Sequence, residues 1–293
     1  MKAAAVSYTR PSQLADVLQL LAQHGDEARL LAGGQTLLAT LNMRLSEPAL
    51  LIDLQSVTAL KGLTVTGYTL RIGALVTHTE IENSTLIAQR APLLTAAAPH
   101  IAHRAIRNLG TFGGSIAYGD PAAEWPACLL AMNGVVLVRS IKGTRRIPAD
   151  DFFTGLYTTA LAADEIIEAC EIPLAPAGDL AQRFSFNELA RRHGDYAVVG
   201  LAATATVKGE HIEHIRLAWI GVGSVPMRAT GCENALRSQP LTPQTVTHAV
   251  NTLRAELSPL ADLTHSEAAK KQLACVLLKR ALQGWMTPAA ANA

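Results

Sequence analysis

The stretch RNLGTFGGSIAYGDPAAE, residues 107–124, sets Gly110, Gly113 and Gly114 beside the hydroxyls of Thr111 and Ser115. Residues without side chains next to hydroxyl residues let several backbone N–H groups converge on one anion with no Cβ in the way. A second stretch of the same kind, LLAGGQTLL at 30–38, puts Gly33 and Gly34 before Gln35 and Thr36. A mononucleotide needs one such turn, whereas two turns in separate segments suit the two halves of a pyrophosphate. The expected guest is a dinucleotide. Neither turn has the GxGxxG spacing of a Rossmann fingerprint, which would also want an acid about twenty residues on, so a conventional NAD domain is not expected.

Outward from the first turn, residues 12–23 carry Leu14, Val17, Leu18, Leu20 and Leu21 at helical spacing, with Ser12 placed as the cap beyond Pro11. The short apolar run 30–32 reads as a strand entering the Gly33-Gly34 turn, and a helix restarts at Thr36. LLIDL at 50–54 and TLRIGAL at 69–75 read as strands. This opening is α+β with strands of mixed type. Around the second turn, 93–106 predicts a helix interrupted by Pro99, 125–132 an apolar helix and VVLV at 135–138 a strand. EIIEACEIP at 165–173 reads as a strand, and the PLAPAGD after it has the Pro and Gly of a linker, so a domain boundary falls there. Beyond it, AVVGLAATATV at 197–207 and HIRLAWIGVG at 214–223 predict paired strands. Helices are expected over 240–257 and 266–285, making a small sheet with helices on one side.

Composition bounds the function. The 293 residues suffice for two domains. With 25 Lys+Arg against 24 Asp+Glu and no long basic stretch, a nucleic-acid surface is not indicated. Cys128, Cys170, Cys232 and Cys275 form no CxxC, cluster-binding run or zinc spacing, and read as buried or free thiols in a reducing compartment. The N-terminus lacks the apolar segment of a secretory signal, and no later run reaches transmembrane length, so a cytoplasmic protein is expected. Hydrophobic residues make up 49% and aromatic ones 4%, which suits packed helix and sheet layers and leaves few rings to stack on a ligand.

Residues 107–132, RNLGTFGGSIAYGDPAAEWPACLLAM, closely resemble the second flavin-contacting segment of the FAD-binding subunits of molybdenum hydroxylases, the carbon monoxide dehydrogenase medium-chain and xanthine dehydrogenase group. LLAGGQTLL resembles their first segment, and FNELARRHGDYAVVGLAA at 186–203 resembles the entry to their C-terminal domain. The resemblance implies an α+β fold: a p-cresol-methylhydroxylase-type FAD-binding domain of two α+β lobes, then a small α+β CO-dehydrogenase-flavoprotein C-terminal domain. The FAD-binding domain would span 1–176, with lobes about 1–56 and 57–176, the C-terminal domain 177–288, and a tail 289–293. It also implies FAD on this chain, with the molybdenum–pterin cofactor on a large partner subunit and two [2Fe-2S] clusters on a small one. The three chains would form a dimer of heterotrimers that hands electrons to NAD, a quinone or another acceptor.

Carried over by the same resemblance, Leu31, Ala32, Gly33, Gly34, Gln35, Thr36 and Leu37 would wrap one side of the FAD pyrophosphate and its ribityl arm. Gly110, Thr111, Gly113, Gly114 and Ser115 would hold the other side. Glu124 would accept hydrogen bonds from cofactor hydroxyls, although an acid opening a helix before Trp125 also suits the macrodipole. Ile101 and Ile167 match positions that pack against adenine or isoalloxazine, and plain core packing suits them equally. Glu188 falls near a position where some relatives carry a lysine close to the flavin. No side chain need serve as acid, base or nucleophile in electron transfer. Valine at Gly113 or Gly114 would take the space the pyrophosphate needs.

Other motifs point less far. His100, His103, Arg104 and Arg107 fall at helical spacing without a third ligand type, so the face they form is expected to meet solvent or an acidic partner surface rather than a metal. RRHGD at 191–195 contains His and Asp but no nucleophile in register, and reads as a turn at Gly194 with Asp195 capping the next segment. Two rival readings stay open: a stand-alone FAD-dependent reductase or oxidase on the same fold, and an assembly module that has lost FAD.

Overall fold

The computed structural model describes residues 2–175 and 180–286, and the proposed boundary at 176/177 and the tail at 289–293 lie outside the described residues. The chain opens with β1 (Ser7–Thr9), α1 (Leu14–His24), β2 (Ala28–Leu31), α2 (Leu37–Asn42) and β3 (Leu50–Asp53). The strands form a parallel sheet in the order β1-β3-β2. The i, i+3, i+4, i+7 stripe of Leu14, Val17, Leu18 and Leu21 makes α1 amphipathic, and the last three are buried in the small core beneath this sheet. The expected Ser12 cap is not formed: the helix starts one residue later, with Gln13 at its N-cap and no side-chain cap bond.

The second lobe is built on an antiparallel sheet in the order β4-β5-β10-β6-β7, with β4 (Leu63–Thr66), β5 (Thr69–Gly73), β6 (Val135–Ser140), β7 (Gly143–Pro148) and β10 (Ile166–Pro173). As the central strand, β10 is buried nearly throughout. A bulge between Ile167 and Ala169 leaves the Glu168 carboxylate to bind Arg71 at 2.8 Å and Arg139 at 2.5 Å. Helices α3 (His78–Asn83), α4 (Thr85–Arg90), α5 (Pro92–Ala97), α6 (Arg104–Arg107), α7 (Phe112–Tyr118) and α8 (Glu124–Ala131) fill the space between β5 and β6, and the short α9 (Ala149–Phe152) leads to the hairpin β8 (Phe153–Gly155) and β9 (Thr158–Thr159). Pro99 does break the expected 93–106 helix: α5 stops at Ala97, a single 3-10 turn comes next, and α6 restarts at Arg104. Every residue of α8 is buried, as a helix apolar on all sides requires, and Pro126 sits in its first turn, where no backbone bond is lost.

The C-terminal domain has β11 (Ala181–Ala190), β12 (Ala197–Lys208), β13 (His211–Ile220) and β14 (Met227–Arg228) in sequential antiparallel order, then α10 (Thr230–Leu236), α11 (Pro243–Glu256) and α12 (Glu267–Met286). The paired strands expected at 197–207 and 214–223 are β12 and β13, and β11 joins them as a third long strand that the sequence did not single out. Helix α11 begins three residues later than expected because the Thr242 hydroxyl caps the Thr245 N–H. One face of this sheet packs on α10–α12 around Trp219 and Leu278. The other packs on α8, so that Ala202, Ala218 and Ile220 belong to the core of the second lobe.

Candidate cofactor site

The two glycine turns meet. A Cβ on Gly33 would stand 2.1 Å from the Leu109 carbonyl oxygen and 2.7 Å from the Gly110 Cα, so the first turn lies backbone to backbone on the second. Residues 33–36 link β2 to α2, with Gly34 in the left-handed region at φ 71°. Leu31 and Leu38 close over Gly34, and the Gln35 side-chain amide donates to the Gly33 carbonyl at 2.9 Å. Among the described residues nothing accepts from the backbone N–H groups of Gly34, Gln35 and Thr36. Ala32, Gly33, Gly34, Gln35, Thr36 and Leu37 are all half-buried, which leaves these donors within reach of a ligand.

The second segment is built differently. Most of its N–H groups are already engaged: Gly110 donates to Ile106 O, Phe112 to Val76 O, Gly113 to Ala74 O and Gly114 to the Thr111 hydroxyl, while among the described residues nothing accepts from the Thr111 N–H. A Cβ on Gly113 would come within 2.6 Å of Ala74, and one on Gly110 within 2.6 Å of the His78 ring. Gly113 is therefore small so that α7 can pack on the end of β5, which departs from the sequence reading that its space serves the pyrophosphate. Gly114 and Ser115 are the half-buried members, Gly114 facing Ala32 across the junction. Most free donors thus lie on the first turn, and the second supplies a rigid wall with the Thr111 N–H and the Ser115 hydroxyl. His78 fixes that wall from below. It is buried, accepts from Trp125 Nε1 at 2.9 Å through Nδ1, and is held down to about 4 by burial and then by Arg107.

Two carboxyl groups, Glu124 and Glu188, lie close to one another, and neither forms an ion pair among the described residues. Glu124 opens α8 and is 8% exposed; burial raises its pKa to about 7. Glu188 lies on β11 opposite Gly200, and burial with the neighbouring charge of Glu124 raises it to about 8. Its Oε2 is buried without a hydrogen-bond partner. Burial, Glu124 and Glu188 together push the Cys128 thiol well up. All four cysteines are buried and unpaired, in line with the sequence reading. The unpartnered Glu188 carboxyl can exchange hydrogen bonds with hydroxyl groups such as those of a ribityl chain or a ribose.

Ile101 and Ile167 both lie in the main core cluster, at 8% and 4% exposure. Ile101 precedes Ala102, whose φ is 43°, and Arg107 holds this bend by donating to the carbonyls of Ile101 and Ala102 at 3.0 and 3.1 Å while paired with Glu82 at 2.9 Å. Arg107 is therefore buried, which corrects the expectation that it shares a solvent face with His100, His103 and Arg104. His100 also turns inward, onto Phe186 and in a parallel stack with His193 at 6.3 Å. Gly194 does make the expected turn, at φ 85°, and a Cβ added there would stand 2.8 Å from the Ala102 carbonyl oxygen. The Asp195 carboxylate forms no cap among the described residues. Among those residues no helix is long and apolar enough to cross a membrane.

Comparison with known proteins places this geometry. Residues 4–175 match the FAD binding domain in molybdopterin dehydrogenase, and residues 184–284 match the CO dehydrogenase flavoprotein C-terminal domain. The chain is 39% identical to the nicotine 6-hydroxylase medium subunit of Paenarthrobacter nicotinovorans, over 96% of this chain and 98% of the relative. The solved carbon monoxide dehydrogenase of Hydrogenophaga pseudoflava superposes with a TM-score of 0.93 at 34% identity, covering 98% of this chain and 99% of that one. Quinoline 2-oxidoreductase of Pseudomonas putida 86 gives 0.91 at 34% identity, covering 98% and 100%.

Proposed function

Because the chain belongs to the FAD-binding medium subunits of the molybdenum hydroxylases, we propose that it is the flavin relay of a multi-subunit dehydrogenase. Electrons enter from [2Fe-2S] clusters on a small partner subunit, which are reduced at a molybdenum–pterin centre on a large one, and leave to an external acceptor. The relatives with this fold are themselves medium subunits of such oxidoreductases. A cytoplasmic dimer of heterotrimers is the assembly that goes with this reading.

The observation that carries it is the backbone contact between Gly33 and 109–110, which turns two distant glycine segments into one junction. Bound FAD supplies the two-electron chemistry. The N–H groups of 34–36 grip the pyrophosphate, and the Ser115 hydroxyl with the wall from Gly110 to Gly114 meets it from the other side. Glu124 and Glu188 accept from sugar or ribityl hydroxyls. Ile101, on the bend that Arg107 holds, and Ile167 present apolar surface to the rings. Leu31 and Leu37 bound the first turn. No side chain of the site is required to transfer a proton to substrate.

The experiment is an absorbance spectrum of the natively purified protein, then heat release and identification of the flavin. Equimolar FAD, with iron–sulfur absorbance that leaves when partner chains are stripped away, is the expected result. A colourless chain that takes up no added FAD overturns the reading.

A further inference from the structure

A groove of about 350 Å³ opens between the two lobes of the FAD-binding domain, and neither glycine turn contributes to its lining. One wall is α1 of the first lobe, through Ala15, Leu18 and Gln19. The other is the end of β6 and the turn into β7, through Arg139, Ser140 and Ile141. Leu18 is 8% exposed and belongs to the core under the parallel sheet, which Ile166 of β10 also enters. Arg139 stands directly opposite Ile166 in the antiparallel ladder, so its side chain leaves the sheet on that same face, at the margin of the packing between lobes.

The groove sets apolar surface beside an uncompensated charge. Ile141 and Lys142 are the two residues that join β6 to β7, where turn chemistry favours Asn, Asp or Gly. Ile141 is nevertheless 59% exposed, and it lines the groove with Leu18. Two guanidinium groups share one carboxylate: Glu168 Oε1 accepts from Arg71 at 2.8 Å and Oε2 stands 2.5 Å from Arg139 Nε. Two positive charges and one negative leave this trio at +1. The other carboxylates nearby are engaged by their own cations, Asp164 by Lys142 at 2.8 Å, Glu165 by Arg145 at 2.6 Å and Glu171 by Arg146 at 2.7 Å. None of the described lining residues is acidic. The Ser140 hydroxyl accepts from the Lys142 N–H at 3.1 Å and keeps its own proton to donate, and the exposed Gln19 amide adds two donors.

We propose that this groove is a second ligand site of the chain and that it takes a small amphipathic carboxylate, an acid group on an aliphatic chain. A guanidinium, a hydroxyl and an amide suit the carboxylate, and Ala15, Leu18 and Ile141 suit the chain. An inorganic anion would meet the same donors and leave the apolar wall in water, whereas a neutral hydrocarbon would leave Arg139 without its counter-charge. The proposal is independent of the flavin reading, because both walls lie outside the cofactor junction. A bound acid touches both lobes at once and holds α1 against the β6–β7 turn.

The test uses the full chain labelled with carbon-13 at the isoleucine δ-methyl groups, with Ile141→Val to assign the Ile141 signal. Titration with octanoate is expected to move that signal to saturation. Octanol, which has the chain without the charge, and acetate, which has the charge without the chain, are each expected to bind at least about tenfold more weakly. Gln19→Glu places a carboxylate on an exposed lining position and leaves the core untouched; it is expected to abolish octanoate binding with the other isoleucine signals and the Tm unchanged. Arg139→Gln is expected to weaken octanoate about tenfold or more. Equal binding of octanol overturns the anion assignment, and equal binding of acetate overturns the apolar half. A shift that never saturates, or that survives Gln19→Glu, means that the groove is not a site. If octanoate reaches Ile141 in the isolated chain and not in the assembled complex, the groove is a contact with a partner subunit and the small-acid assignment fails. Flavin absorbance of the same samples reports FAD occupancy separately, so none of these outcomes is confused with failure of the flavin reading.

Discussion

Replacing Gly33 with alanine drives the two glycine turns apart. The added methyl would stand 2.1 Å from the Leu109 carbonyl oxygen and 2.7 Å from the Gly110 Cα, backbone atoms that no rotamer change can move aside. Restoring ordinary contact, at about 3.5 Å, separates the loops by roughly 1 Å or more. Overpacking of this kind costs about 1–3 kcal/mol. If the junction holds FAD, that energy appears as a dissociation constant raised about 5- to 150-fold. The assay is titration of FAD into flavin-stripped protein, read by quenching of flavin fluorescence, with thermal unfolding measured on the same samples. Gly284→Ala is the control: Gly284 is exposed in α12 with nothing within 4 Å of its missing Cβ. It should gain about 0.5–1 kcal/mol of stability, with FAD affinity unchanged. Wild-type FAD affinity in a folded Gly33→Ala protein would refute the joined-turn site, even if its Tm had fallen.

The buried ionisable groups lead to further outcomes. Glu188 is raised from 4.5 to about 8, so the folded chain holds a proton that the unfolded chain has lost; FAD-free stability should fall from about pH 4.5 to 8 and level off above. Part of the full shift is screened by partial exposure, leaving on the order of 2 kcal/mol, and Glu188→Gln should flatten this limb in pH-dependent urea titrations. His78 has the opposite sign: lowered to about 4, it gives stability that is complete above 6.5 and is lost as pH falls towards 4, by about 2–3 kcal/mol. His78→Phe should remove that acid-side slope. Glu233, 1% exposed, binds Arg228 and accepts from the Leu217 N–H at 2.8 Å, so Glu233→Ala should lower unfolding stability by about 3–5 kcal/mol in urea. An unchanged midpoint would deny that pair its structural role.

Local chemistry made part of this legible in advance. The Gly33-Gly34 pair, the apolar stripe of α1 and the wholly apolar 125–132 are nearest-neighbour signals, and each became the element or turn it indicated, whereas Gly113-Gly114, read as a turn, opens helix α7. The capping box of Thr77 and Glu80, with the Thr77 hydroxyl and the Glu80 carboxylate each accepting from the other's N–H, was equally open to reading from its spacing. The features that stayed hidden depend on contacts distant in sequence. That Gly113 serves Ala74, and Gly33 serves Leu109, emerges only once β5 and β2 are placed. Arg107 looked like a surface residue because its acceptors are backbone carbonyls of a bend with no sequence signature. Glu188 became an orphan carboxyl only when β11 paired with β12 and laid it against α8. Leu18 and Arg139 come from two separate lobes, and no spacing announces their meeting.

The small residues on β12 and β13 have a consequence for how such chains can be recombined. Ala202 and Ala218 bring the sheet close to α8, the Thr204 hydroxyl donates to the Ala131 carbonyl at 2.7 Å, and Arg216 Nε to the Leu130 carbonyl at 2.8 Å. The last carbonyls of an FAD-domain helix are thus satisfied by side chains from the neighbouring domain. Severed there, α8 would show water an apolar flank and unanswered acceptors. A gene fusion that swapped only the C-terminal third would inherit that mismatch, so the two sequence families are expected to travel, mutate and unfold as a single heritable unit.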